Sequence, residues 1–186
     1  MNQHSPCAGG FGDLGEIDFC APLQQLFDEH PPLLAKMAEF KNMVQAFEAN
    51  DSYTNWNEAV EQLHEKLEIF VAELEPHADR EEDILFEMMV KYIGRESGPI
   101  AVMEHEHNTA KLHLKYFFEK VASTKSTNET LTREKALEVF QHLKIVYATL
   151  TDHFMKEEQV LFPMAEKMLS DEEKEELAVK YKEMSN

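Results

Sequence analysis

Two stretches of the chain carry the same set of reactive side chains. HADREEDILFEM occupies positions 77–88 and HFMKEEQVLFPM positions 153–164. Each reads His, three residues, Glu-Glu, one residue, an aliphatic side chain, then Leu-Phe. On a helix the i, i+4 spacing stacks His77 with Glu81, and His153 with Glu157, on one face. The doubling extends upstream, because Glu29-His30 precedes the first copy and Glu106-His107 the second. Matching points are offset by 77 and 76 residues, as when one helical hairpin is used twice.

If four such helices run antiparallel, residues at matching depth meet on the bundle axis. His30, His77, His107 and His153 would then share one layer with Glu81 and Glu157. A buried carboxylate without a partner costs several kcal/mol, and a cation removes that cost. Imidazole and carboxylate together suit first-row metals. Six protein ligands are too many for one tetrahedral zinc. They divide between two metals, with two His on each and both Glu bridging. A bridging oxide or hydroxide would leave one position open for a small ligand, which points to a pair of iron ions. His105 stands two residues from His107 and is the alternative donor on the third helix.

The elements that must position these groups are all helical. Residues 1–17 are expected to form an irregular tail, and residues 18–186 the bundle with a short C-terminal helix. A first helix begins after Asp18, with Pro22 in its first turn and a kink near His30 from Pro31 and Pro32. The second runs from Tyr53 to Tyr92, capped from Asn50-Asp51-Ser52 and bent at Pro76. The third starts at Pro99 and ends near Ser123, leaving 124–131 as a polar loop. The fourth runs from a Thr132 cap to Met168. Ser170 with Glu173 forms a capping box for the last helix. No segment has a strand pattern. The fold class is therefore all-α, an up-down-up-down four-helix bundle.

Composition narrows the function. Thirty-six acidic against 18 basic residues give a formal net charge of −18. Nucleic acid phosphates and anionic membranes would be repelled. There is no apolar run long enough to span a bilayer, and no basic-then-apolar leader pattern. Cys7 and Cys20 do not make a disulfide framework, and a reducing cytoplasm is the expected setting.

Around the six residues, Ile84, Met88, Val160 and Met164 are expected to continue the inward face. Glu82 and Glu158 point about 100° away from Glu81 and Glu157. They are expected to face solvent, the alternative being a bond to an imidazole N–H. Glu73 and Glu106 are candidates for a proton or ligand path. His142 lies about 16 Å from His153 along the helix and belongs to the core or to the surroundings of the ligands. His4, His64 and His113 are expected at the surface.

The segments EH at 29–30, HADREEDILF, VMEHEH at 102–107 and HFMKEEQVLFP resemble the hemerythrin-like (HHE) cation-binding family, over roughly residues 20–168. VMEHEH is most similar to its di-iron members that repair iron–sulfur centres. The resemblance implies a hemerythrin-like fold and selects His107 over His105. It implies His30, His77, Glu81, His107, His153 and Glu157 as ligands of two non-haem irons. It further implies O2 or NO as the ligand processed, under oxidative or nitrosative stress, and iron–sulfur proteins as partners. Oxygen-carrying members resemble a five-His pattern, whereas Met103 and Lys111 flank His107 one turn away here. Storage or sensing of O2 or NO without turnover, and metal storage, stand as alternatives.

Overall fold

A computed structural model describes residues 17–184. All but the last residue of the expected tail 1–17, with Cys7 and His4, lies outside the described residues. Seven α-helices follow: α1 Ala21–Ala49, α2 Trp56–Arg80, α3 Glu87–Ile93, α4 Pro99–Thr127, α5 Arg133–Lys156, α6 Phe162–Met168 and α7 Asp171–Met184. A π-helical turn, Glu81–Phe86, joins α2 to α3. A second, Glu157–Leu161, joins α5 to α6. The result is four long rods (α1, α2–α3, α4 and α5–α6) reversed by short connections, and no strand occurs among the described residues. No described helix is long and apolar enough to cross a membrane.

Several boundaries differ from the sequence expectation for local reasons. The Asn50 side chain accepts from the backbone and hydroxyl of Ser52, so it closes a turn and cannot cap the next helix. Asn55 takes that role, accepting from the N–H of Glu58. Helix α4 runs on to Thr127, and the hydroxyls of Thr124, Ser126 and Thr127 there bond back to preceding carbonyls instead of competing for the turn's N–H groups. Asn128, left-handed at φ 50°, stops it. Helix α1 passes through Pro31 and Pro32 without a break. Neither proline has an N–H, so two helical bonds are missing just after His30.

Leu33, Phe40, Phe70, Leu74, Ala110, Phe117, Leu150 and Phe154 belong to one apolar cluster. Leu26, Ile84, Phe86, Met103, Leu161 and Phe162 belong to another. On every rod, the ligand candidates fall between a residue of one cluster and a residue of the other. A polar layer therefore divides the core.

Helix α7 is part of this architecture. It packs on α1 and on the turn Glu81–Phe86. Ser170 and Glu173 form the expected capping box, at 2.8 Å and 3.3 Å. Glu173 also accepts from Lys91 and from the Tyr92 hydroxyl, which ties α7 to α3. Leu177 is fully buried in the second cluster, whereas Val179 is 54% exposed. Leu177→Ala should lower the unfolding free energy by about 2–5 kcal/mol. Val179→Ala should change it by no more than about 0.5 kcal/mol. Urea titration of both variants checks the pair, and equal small effects would mean α7 is not docked.

Candidate metal centre

Each rod delivers its share of the layer. His30 comes from α1, His77 from the end of α2, His107 from α4 and His153 from the end of α5. Glu81 and Glu157 are the first residues of the two π turns. Such turns insert a residue into the helical register. The consequence is visible downstream. Val160, expected inward, is 43% exposed, and Leu161 and Phe162 are fully buried in its place. In the first copy Ile84, Leu85 and Phe86 are all buried.

All six side chains are at most 4% exposed. They form two quartets, His30–His77–Glu81–Glu157 and Glu81–His107–His153–Glu157. Within each quartet one donor atom per residue lies within 4.8 Å of the others. Glu81 points Oε1 at His77 Nε2 and Oε2 at His107 Nε2, both at 3.5 Å. Glu157 points Oε2 at His30 Nε2 at 3.2 Å and Oε1 at His153 Nε2 at 3.0 Å. Each carboxylate thus divides its oxygens between the quartets.

The backs of the four imidazoles are occupied as well. His30 Nδ1 meets Glu158 at 2.8 Å and His77 Nδ1 meets Glu29 at 2.8 Å. His107 Nδ1 meets Glu82 at 2.5 Å and His153 Nδ1 meets Glu106 at 3.3 Å. An ionised carboxylate only accepts, so each Nδ1 donates its proton outward. In the neutral imidazole that leaves Nε2 as a bare lone pair aimed into the layer. Glu82 and Glu158 therefore do not simply face solvent, and Glu106 backs a histidine instead of lining a path. Glu73 pairs with Lys36 at the surface, at 2.7 Å. His105 is exposed and stands apart from both quartets.

Three of the outer carboxylates have a cation behind them. Arg80 donates to both oxygens of Glu29 at 2.6 Å, and Lys111 to both oxygens of Glu82. Lys156 reaches Glu106. Burial pushes the Glu29 carboxyl up, but the bonds from His77 and Arg80 outweigh it and hold it at about 2. The bond from His107, aided by Lys111, brings Glu82 to about 2 against its burial.

Inside, the electrostatics ask for positive charge. Burial pushes the His153 imidazole down, yet the charge of Glu157 3.0 Å away and the bond to Glu106 raise it to about 10. His30 and His107 are raised in the same way, by the carboxylates that face them. Both oxygens of Glu81 and of Glu157, with Nε2 of His30 and of His77, are buried without a hydrogen-bond partner. His107 Nε2 faces His153 Nε2 at 2.7 Å, a contact of two lone pairs unless a proton or cation lies between. Two donors trans across a first-row metal are about 4.2 Å apart, so either quartet is the right size to close on one ion. The residues fit a pair of cations.

The sequence profile of the hemerythrin HHE cation binding domain matches residues 21–165. The chain belongs to that family. The match runs from the start of α1 into α6 and so includes every residue of both quartets. Curated relatives include the iron-sulfur cluster repair protein YtfE of Escherichia coli O157:H7, of Escherichia coli strain K12 / DH10B and of Shigella boydii serotype 18. Each is 35% identical over 94 residues, 50% of this chain and 42% of the relative. The match therefore spans less than half the length of those relatives. No solved structure matches the chain.

The outer carboxylates orient the imidazoles, and losing one should be felt at the metal. Glu29→Gln keeps the shape and removes the charge that holds the His77 proton. Metal affinity should fall about 10–100-fold in a competitive chelator titration. Glu73→Gln, on the same bundle but paired only with Lys36, should leave affinity unchanged.

Proposed function

We propose that the layer holds two iron ions, one per quartet, bridged by Glu81 and Glu157, and that the chain binds or processes O2 or NO there. The observation that carries this reading is the set of eight inward atoms, four Nε2 and four carboxylate oxygens, none of which brings a proton in the neutral-imidazole, ionised-carboxylate state. Two nitrogens and two oxygens per cation are a mixed donor set that suits iron. Iron held by these residues would offer a Lewis-acidic, redox-active position to a small ligand.

The chain's own residues prepare that position. Phe154 stacks on His30 at 4.4 Å and Phe162 at 5.6 Å, which closes the His30–His77 quartet against water. The other quartet is reached differently. A cavity of about 340 Å³ lies in the α2–α4 seam, and its lining includes His107. Leu74, Ala78, Ala110, Leu114 and Phe118 make much of the wall apolar. Such a path admits a small neutral molecule more readily than a hydrated ion. Met103 and Lys111 flank His107, so the fifth histidine of oxygen carriers is missing and turnover is favoured over reversible carriage.

The likeness to proteins named for iron–sulfur cluster repair supports a role in that process. In this reading the chain works in the cytoplasm under oxidative or nitrosative stress, with damaged iron–sulfur proteins as partners. Elemental analysis of protein from iron-supplemented cells should give two irons per chain. Glu81→Ala and Glu157→Ala should each reduce that toward one or none. Full occupancy in both variants would falsify the bridging assignment. Ala110→Phe should fill the seam and slow the reaction with NO at least tenfold in stopped-flow absorbance, with iron content unchanged. An unaltered rate would mean that ligands enter elsewhere.

A further inference from the structure

The chain has a second pair of facing imidazoles, away from the central layer. His113 on α4 and His142 on α5 bring their Nδ1 atoms to 2.6 Å across the α4–α5 seam. The ring centroids are 4.9 Å apart. His142 lies 11 residues before His153 on the same helix, about 16 Å along the axis, so it shares no cation with the quartets.

Nitrogen-to-nitrogen contacts this short between histidines occur at two places among the described hydrogen bonds. The other is His107 with His153, in the central layer. Two imidazole nitrogens bound cis to one cation, each at about 2.05 Å, would be about 2.9 Å apart. The observed 2.6 Å needs only a slight opening to reach that value. A plain hydrogen bond accounts for the contact only if one ring carries a proton on Nδ1 and the other does not. A cation needs both in the Nε2–H form.

The surroundings fit an ion that comes and goes. Tyr116 stacks on His142 with centroids 4.0 Å apart and fixes the plane of that ring. Both histidines are only partly buried, and Tyr116 is 45% exposed, so water can complete the coordination shell. Glu138 stands one turn before His142, close enough for its charge to act on that ring.

We propose that His113 and His142 form a separate, solvent-open bis-imidazole site for a late first-row divalent cation such as Cu2+ or Zn2+. With two protein ligands and the rest water, it is built for exchange and not for permanent occupancy. Nothing in it depends on which metal fills the central layer.

Copper(II) is the probe, because it binds imidazole most tightly of the divalent first-row ions and is visible by electron paramagnetic resonance. One equivalent is added to the folded chain with its resident metal in place. Two nitrogen couplings should appear, and elemental analysis should show the resident metal retained. His113→Gln and His142→Gln should each weaken copper binding at least tenfold and abolish the two-nitrogen pattern. Circular dichroism should show both variants still folded. His105→Gln, an exposed histidine on the same helix as His113, is the control and should change nothing. The proposal fails if both variants bind copper as the unaltered chain does, or if copper enters only by displacing the resident metal.

Discussion

A buried layer of polar atoms with nothing to donate to them dictates much of this structure. Four imidazole nitrogens and four carboxylate oxygens meet inside a bundle whose interior is otherwise mostly apolar, and the layer cuts that interior into two clusters. Left to themselves, bare lone pairs and ionised carboxylates in such a setting repel one another and lack water. The raised histidines and the strongly lowered Glu157 express the same demand, because burial opposes charge on each and the neighbouring opposite charges prevail. A pair of cations would satisfy all eight atoms at once. The packing beyond the layer, from the Phe154 and Phe162 rings to helix α7, keeps it dry and in register.

The outer carboxylates supply that register. Each is the sequence neighbour of one inward residue but bonds another on a different rod. Glu29 adjoins His30 and holds His77; Glu82 adjoins Glu81 and holds His107. Glu106 adjoins His107 and holds His153; Glu158 adjoins Glu157 and holds His30. Four such exchanges close a ring around the bundle, so displacing one rod disturbs an inward histidine on the next. Arg80, Lys111 and Lys156 stand behind three of the four, which keeps the negative charge of the ring from accumulating against the layer.

Much of this was legible in the sequence because helical spacing translates directly into shared faces. His77 with Glu81, and His153 with Glu157, needed only the i, i+4 rule, and the repeat at 76–77 residues paired the rods. The rod order and the Ser170–Glu173 cap followed from the same local signals. The features that escaped depend on neighbours in space. The π turns begin at the inward glutamates, and no local signal distinguishes them from α-helix, so plain helical spacing puts Val160 on the inward face where the structure puts Leu161. Glu82 and Glu158 looked solvent-facing because their imidazole partners lie on other rods. Pro31 and Pro32 suggested a kink, but α1 continues through them, with Leu33 buried against the core on one side and His30 in the layer on the other. That Glu29 and Glu106 immediately precede His30 and His107 was the available hint of the ring, since a doubled dipeptide implies a job for both members.

The doubled hairpin has a thermodynamic corollary. Residues 21–93 contribute His30, His77 and Glu81, and residues 99–168 contribute His107, His153 and Glu157. Each quartet takes both imidazoles from one half and one of its carboxylates from the other. Each half alone supplies three of the four residues of its quartet, so a cation held by all four would stabilise the docked arrangement over the separated halves, by an amount that grows with its concentration relative to its dissociation constant. The internal symmetry that repeats the motif thus makes each half the source of the other's fourth inward residue.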